Sequence, residues 1–255
     1  MQTLTTPASD SANLEAADRL IVALDCPTIE QARSLVADLG PAVTFYKIGW
    51  RLFLTAGMSF VKEVRGQEKR IFLDLKMDDI AETVETAVAV LRDKVQLLTL
   101  MGAAETITAA VRGRGAASDP KLLSVTFLSS LDETDLRAML PHGATLPPGD
   151  VLPAYVEQRA KQALAAGADG LIASGDSVRQ LRAVLGSKPL IVTPGIRPAG
   201  AATNDQKRTK TPAEAIADGA DLLVVGRPIW TAPSPIAAAE AIIADIGVGL
   251  ERRGG

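Results

Sequence analysis

Apolar residues come in short runs along this chain, and between the runs they recur at three- and four-residue spacing. The runs are LIVALD (20–25), VTFYKIG (43–49), RIFLDLK (70–76), VQLLTLM (95–101), LLSVTFL (122–128), GLIAS (170–174), LIVTPG (190–195) and LLVVG (222–226). Their length and aliphatic content predict eight buried strands. The segments TIEQARSLVADLG, AETVETAVAVLRD, YVEQRAKQALAAGAD and TPAEAIADGAD lie between runs. Their periodicity predicts amphipathic helices that end near Gly. Strand then helix, repeated eight times, points to an α/β single-domain (β/α)8 TIM barrel rather than a doubly wound sheet.

Two stretches are long and polar for strand-to-helix connections: SLDETDLRAML…PPGD after the fifth run and RPAGAATNDQKRTK (197–210) after the seventh. Connections of that length in a compact domain commonly serve as lids or binding loops.

Length and composition narrow the picture. A chain of 255 residues with 47% hydrophobic content can bury a large core. It carries no Ser/Gly/Pro-rich linker, so one catalytic barrel over 19–255 is expected, preceded by a polar, flexible tail over 1–18. A net charge of −3 argues against a nucleic-acid partner, which needs a basic face. Any anionic ligand must be held by a local cluster of cations. Cys26 is the only cysteine and His142 the only histidine, so an intramolecular disulfide is impossible and no Cys/His zinc site is expected. Cys26 reads as a buried, inert thiol. No apolar run reaches the roughly 18 to 20 residues of a membrane span, and the N-terminus has no apolar signal core; the expectation is a cytoplasmic protein with no membrane partner.

In a barrel of this kind the functional face is built at the C-terminal ends of the strands. Charges that close an apolar run therefore become site candidates. Side-chain alternation puts Phe72, Asp74 and Lys76 on one face of the third run and Leu73 and Leu75 on the other. Asp25 closes the first run and Lys47 sits in the second, with Asp79 just beyond the third. Singly, each could be a solvated rim charge. Together they form an alternating set, and burying such groups is costly unless they are paired.

Such a network suits a reaction that builds negative charge on carbon. An ammonium aimed at that carbon stabilises the charge and can donate the proton, while neighbouring carboxylates favour the cationic lysine. Schiff-base chemistry needs a lysine that gives up its proton, and adjacent aspartates push the other way. The second constellation lies late in the chain, in TPGIRPAGAATNDQKRTKTP and VVGRPI. Gly226 lets the backbone approach a ligand and Arg227 offers a fork of donors, at the place where barrels hold phosphate. Arg197 and Gln206 belong to the long polar loop that would cover it.

With these residues in view, the chain resembles the bacterial type of orotidine 5′-monophosphate decarboxylase, from about Leu20 to Arg227. DLKMDDIAETV is similar to that family's Asp-x-Lys-x-x-Asp-Ile-x-x-Thr signature, and LIVALDCP, FYKIGWRLF, SVTFLSS, VTPGIRP, the Gln of NDQKR and VVGRPI follow in the family's order. The resemblance implies decarboxylation of orotidine 5′-monophosphate to uridine 5′-monophosphate, in pyrimidine biosynthesis, without metal or organic cofactor. Lys76 would protonate C6 of the pyrimidine, with Asp74 beside the departing carboxylate. Lys47 would bridge the acids, and Asp25 would touch the ribose. Asp79, with Ile80 and Thr83, would enter the partner's site in a homodimer. Ser129 would contact the pyrimidine, with Ser130 beside it. Arg197, Gln206, Gly226 and Arg227 would clamp the phosphate.

The chain departs from the family at DIAET, where Asp-Ile-Pro-Asn-Thr is frequent, and at Met101, where His is common. Two other readings stay open. One is a related sugar-phosphate barrel that stabilises an enediolate with Mg²⁺, and the other is a nucleotide-binding protein without catalysis.

Overall fold

The computed structural model describes residues 14–139, 151–198 and 209–254. Eight parallel strands close into a barrel in sequence order. They are β1 (Leu20–Ala23), β2 (Phe45–Gly49), β3 (Arg70–Met77), β4 (Leu97–Leu100), β5 (Lys121–Val125), β6 (Gly170–Ile172), β7 (Leu190–Thr193) and β8 (Leu222–Val225). Each lies within, or overlaps, one of the eight apolar runs, and β8 returns to pair with β1 through Leu20–Leu223 and Val22–Val225.

Alternation along the strands produces two apolar layers. Ile21, Phe45, Phe72, Leu123, Val192 and Val224 belong to the cluster that fills the barrel. Leu20, Val22, Tyr46, Leu73, Leu98 and Leu223 belong to the larger cluster between strands and helices. At roughly 25 cal/mol per Å² of apolar surface removed from water, these two layers supply the main drive for folding. The N-terminal mouth is stoppered: Leu14 packs against the interior cluster, and Arg70 lies 4.6 Å over the Phe45 ring while pairing with Asp18 at 2.9 Å.

The helices are α1 (Ile29–Leu39), α2 (Trp50–Arg65), α3 (Ala81–Leu91), α4 (Ala104–Arg114), α5 (Glu133–Met139), α6 (Val151–Ala165), α7 (Gly175–Leu185), α8 (Pro212–Ala217), α9 (Arg227–Trp230) and α10 (Pro235–Gly254). Local sequence sets their starts. Thr28 caps α1 by accepting Gln31 N–H at 3.2 Å. Thr211 and Glu214 form a reciprocal capping box on α8, with Pro212 in its first turn. Gly57, at φ +57°, breaks α2 into two segments, a conformation that costs glycine little. The polar stretch after β5 is not all loop, because α5 forms within it. No described helix is long and apolar enough to cross a membrane.

Candidate active site

The C-terminal ends of the strands surround a cavity of about 620 Å³. At one side, side chains from β1 to β4 form a single chain of contacts. Lys47 Nζ donates to Asp25 Oδ1 at 3.0 Å and lies 3.4 Å from Asp74 Oδ2. Lys76 Nζ donates to Asp74 Oδ1 at 2.8 Å. All four line the cavity. Lys47 and Asp74 are nearly enclosed, with side chains 10% and 14% exposed, while Lys76 at 32% keeps its ammonium open to a ligand.

Burial works against both enclosed charges, and their partners win. For Lys47, desolvation lowers the pKa, but Asp25 and Asp74 more than offset it and the net shift is upward. For Asp74, desolvation raises the pKa, and the Lys47 and Lys76 ammoniums with hydrogen bonds from Lys76 and Thr99 carry it below the ordinary carboxylate value. The charged forms of Lys47 and Asp74 are therefore both favoured despite burial.

Asp74 and Lys76 share a face as alternation predicts, through a backbone that is not a regular strand. A step from Leu73 to Met77 along β3 matches only Leu98 to Leu100 on β4, so β3 bulges here. Lys76 sits at φ +48°, a region that a residue with a Cβ occupies at a cost of roughly 1–3 kcal/mol. Thr99 of β4, fully buried, holds the bulge. Its hydroxyl donates to Asp74 Oδ1 at 2.9 Å and accepts Lys76 N–H at 2.9 Å.

The part of the cavity built by the segments after β7 and β8 is cationic. Arg197, Gly226 and Arg227 line it. Arg197 is buried at 8% exposure; desolvation first, and then the neighbouring Arg227 guanidinium, lower its pKa. Two guanidiniums close enough to repel one another make a site for a multivalent anion. The backbone fixes Arg197, whose N–H donates to Lys210 O at 3.0 Å where Ile196 and Lys210 bridge the ends of the long connection. Gly226 keeps the floor low: a Cβ there would lie 3.4 Å from Ala23 Cβ and 3.7 Å from Asp25 Oδ2.

Ser129 and Ser130 line the cavity between the two ends, beside Phe127. Asp79, Ile80 and Thr83 do not line it. Asp79 and Ile80 are exposed on the segment after β3, where Asp79 Oδ1 accepts Ile80 N–H at 2.7 Å. Gln206 lies outside the described residues. Among the described residues no group of three or more His, Cys, Asp or Glu is placed to hold a metal ion.

Two residues of the site escape a reading of strand ends: Thr99 behind the cavity wall and Arg51 on it. Thr99 is a lone hydroxyl inside an aliphatic run and resembles any β-branched strand residue. Arg51, in the first turn of α2, also faces the cavity and donates to Asp25 O at 3.2 Å. Its place directly after FYKIGW was the available signal. Five cationic side chains thus face two carboxylates in this cavity, on a chain whose net charge is negative.

Comparison with known proteins identifies the family. The family model described as Orotidine 5′-phosphate decarboxylase / HUMPS family matches residues 18–242. The orotidine 5′-phosphate decarboxylase of Bradyrhizobium diazoefficiens is 46% identical over 240 residues, covering 94% of this chain and 98% of that one. The enzyme of the same name from Afipia carboxidovorans is 48% identical over 235 residues, covering 91% and 95%. The crystal structure of orotidine 5′-phosphate decarboxylase from Lactobacillus acidophilus superposes with a TM-score of 0.75 at 37% identity, covering 89% of this chain and 97% of its own. The chain belongs to the Orotidine 5′-phosphate decarboxylase / HUMPS family.

Proposed function

We infer that this site decarboxylates orotidine 5′-monophosphate to uridine 5′-monophosphate, a step of pyrimidine biosynthesis. The observation that carries the reading is the unbroken Asp25–Lys47–Asp74–Lys76 chain sharing one cavity with a pair of arginines. The phosphate sits between Arg197 and Arg227, with Gly226 N–H beneath it. The ribose hydroxyls meet Asp25 and Lys47, and the pyrimidine lies along Ser129. This leaves the carboxylate at C6 against Asp74 and Lys76.

Chemistry follows from that placement. The C6–carboxylate bond breaks, carbon dioxide leaves, and the electron pair stays on C6. The Lys76 ammonium stabilises that charge and transfers a proton to C6, and solvent returns a proton to the amine. Asp74 disfavours the bound carboxylate relative to the transition state, and phosphate binding at the far end offsets that cost. The charges are fixed before substrate arrives, so little reorganisation is needed during reaction.

The active unit is a homodimer in which Asp79, with Ile80 and Thr83, reaches the partner's cavity. Support comes from exposure: Trp50 (51%), Leu54 (75%) and Ile80 (75%) present large apolar side chains in the segments that follow β2 and β3, a pattern expected of a surface that a second copy covers. The enzyme works in the cytoplasm, as the single unpaired cysteine suits.

Loss of orotidylate absorbance with the purified protein tests the activity. No turnover with nucleotide binding intact would leave a binding protein. The competing sugar-phosphate chemistry requires a divalent metal, so full activity in excess chelator supports the decarboxylase, and activity restored only by Mg²⁺ opposes it.

A further inference from the structure

Asp78 lies between the segment that supplies Lys76 and the one that presents Asp79, and it takes no part in the cavity. Its carboxylate is nevertheless engaged. Thr106, buried in the first turn of α4, donates its hydroxyl to Asp78 Oδ1 at 3.0 Å. The contact needs the space over Gly102: a Cβ there would fall 2.1 Å from Asp78 Oδ1 and 2.2 Å from Thr106 Oγ1. A second tie runs alongside, from Met101 N–H to Met77 O at 3.1 Å. From the other flank, Arg159 of α6 donates to the carbonyls of Met101 and Gly102 at 3.0 and 3.2 Å.

The segment after β3 is thereby fastened to the segment after β4, which is itself braced by α6. Asp79 and Ile80 come directly after the fastening, exposed and outside their own barrel's cavity. A loop that must deliver a carboxylate to another subunit has no neighbouring wall to guide it, so it must be ordered in advance.

We propose that Asp78 is a positioning residue that acts on the partner subunit's active site, through the Thr106 hydrogen bond that fixes the stretch carrying Asp79. The proposal rests on the reading of Asp79 as a contribution in trans. Asp78→Ala should lower kcat/KM roughly 10- to 100-fold, the scale on which small misplacements act. Asp78→Asn keeps the acceptor for Thr106 and should restore most of the activity. Thr106→Val removes the same hydrogen bond from the other side and should reproduce Asp78→Ala.

Mixed dimers provide the test. Differently tagged chains are co-expressed and the heterodimer is isolated. In the Lys76→Ala/Asp78→Ala heterodimer, the cavity that keeps Lys76 receives its loop from the chain with Asp78 intact. One site of the two-fold pair then works, and activity should rise to about half that of the wild-type dimer. Local damage to the barrel cannot give this result, because Lys76 and the lesion would share one chain. A Lys76→Ala/Asp79→Ala heterodimer is the reference. If it recovers and the Asp78 pair stays as low as the Asp78→Ala homodimer, Asp78 acts in its own barrel and the proposal falls while the trans reading stands. If neither recovers, the trans reading falls too. A fully active Asp78→Ala homodimer also overturns the proposal.

Discussion

The Thr99 hydroxyl donates to Asp74 Oδ1 at 2.9 Å, and Thr99 Oγ1 in turn accepts the backbone N–H of Lys76 at 2.9 Å. One buried side chain thus sets both the direction of the carboxylate and the backbone of the residue proposed to deliver the proton. Thr99→Val keeps the shape and removes both bonds. It should lower kcat by about 10- to 100-fold, the scale of a hydrogen bond to a charged group, while affinity for uridine 5′-monophosphate changes little. Steady-state kinetics beside calorimetric binding would check this; an unchanged kcat would mean that the bulge holds itself.

Lys76→Ala removes the proton source and the cation nearest the reacting carbon. Turnover should fall by at least about 10²- to 10⁴-fold, the usual contribution of general acid catalysis. The arginines and Asp25 remain, so nucleotide binding should persist. Single-turnover measurements with saturating substrate distinguish the two quantities, and wild-type turnover in this variant would remove Lys76 from its role.

Much of this site was legible because strand periodicity and residue type coincide. Eight aliphatic runs, with helical patterns between them, pointed to a barrel, and in a barrel the charges at run ends lie at one mouth. Asp74 and Lys76 followed from alternation. The bulge did not, because a register shift belongs to the pairing of β3 with β4 and neither sequence carries it alone. Thr99 was hidden for a related reason: in LLTLM it reads as a β-branched packing residue, and its hydroxyl gains meaning only when the bulge brings Lys76 N–H to it. Arg51 was not legible from strand ends because it reaches the cavity from the first turn of α2.

Arg227 and Arg197 divide recognition from chemistry. Arg227→Ala should weaken uridine 5′-monophosphate by about 10- to 100-fold, as expected for charge-assisted hydrogen bonds. Uridine, which lacks the phosphate, should bind this variant as it binds wild type. Paired titrations would show the contrast, and equal losses for both ligands would place Arg227 away from the phosphate.

Asp119 offers a prediction about stability, far from the catalytic mouth. It lies two residues before β5, only 6% exposed, and its Oδ1 has no hydrogen-bond partner. Burial raises its pKa to about 6; Lys121 opposes the shift, and Asp93 and Asp169 add to it. The unfolded value is near 3.9, so between about pH 4 and 6 the native state holds a proton that the unfolded chain has lost. Native stability from this group therefore falls as pH rises through that window, and above it the ionised carboxylate is a standing penalty. Asp119→Asn removes the charge at every pH. It should stabilise the protein at pH 8 by on the order of 1–3 kcal/mol, with the advantage shrinking toward zero near pH 4. Urea unfolding of both proteins at the two pH values would test this, and a gain that is the same at both would show that ionisation of Asp119 is not its source.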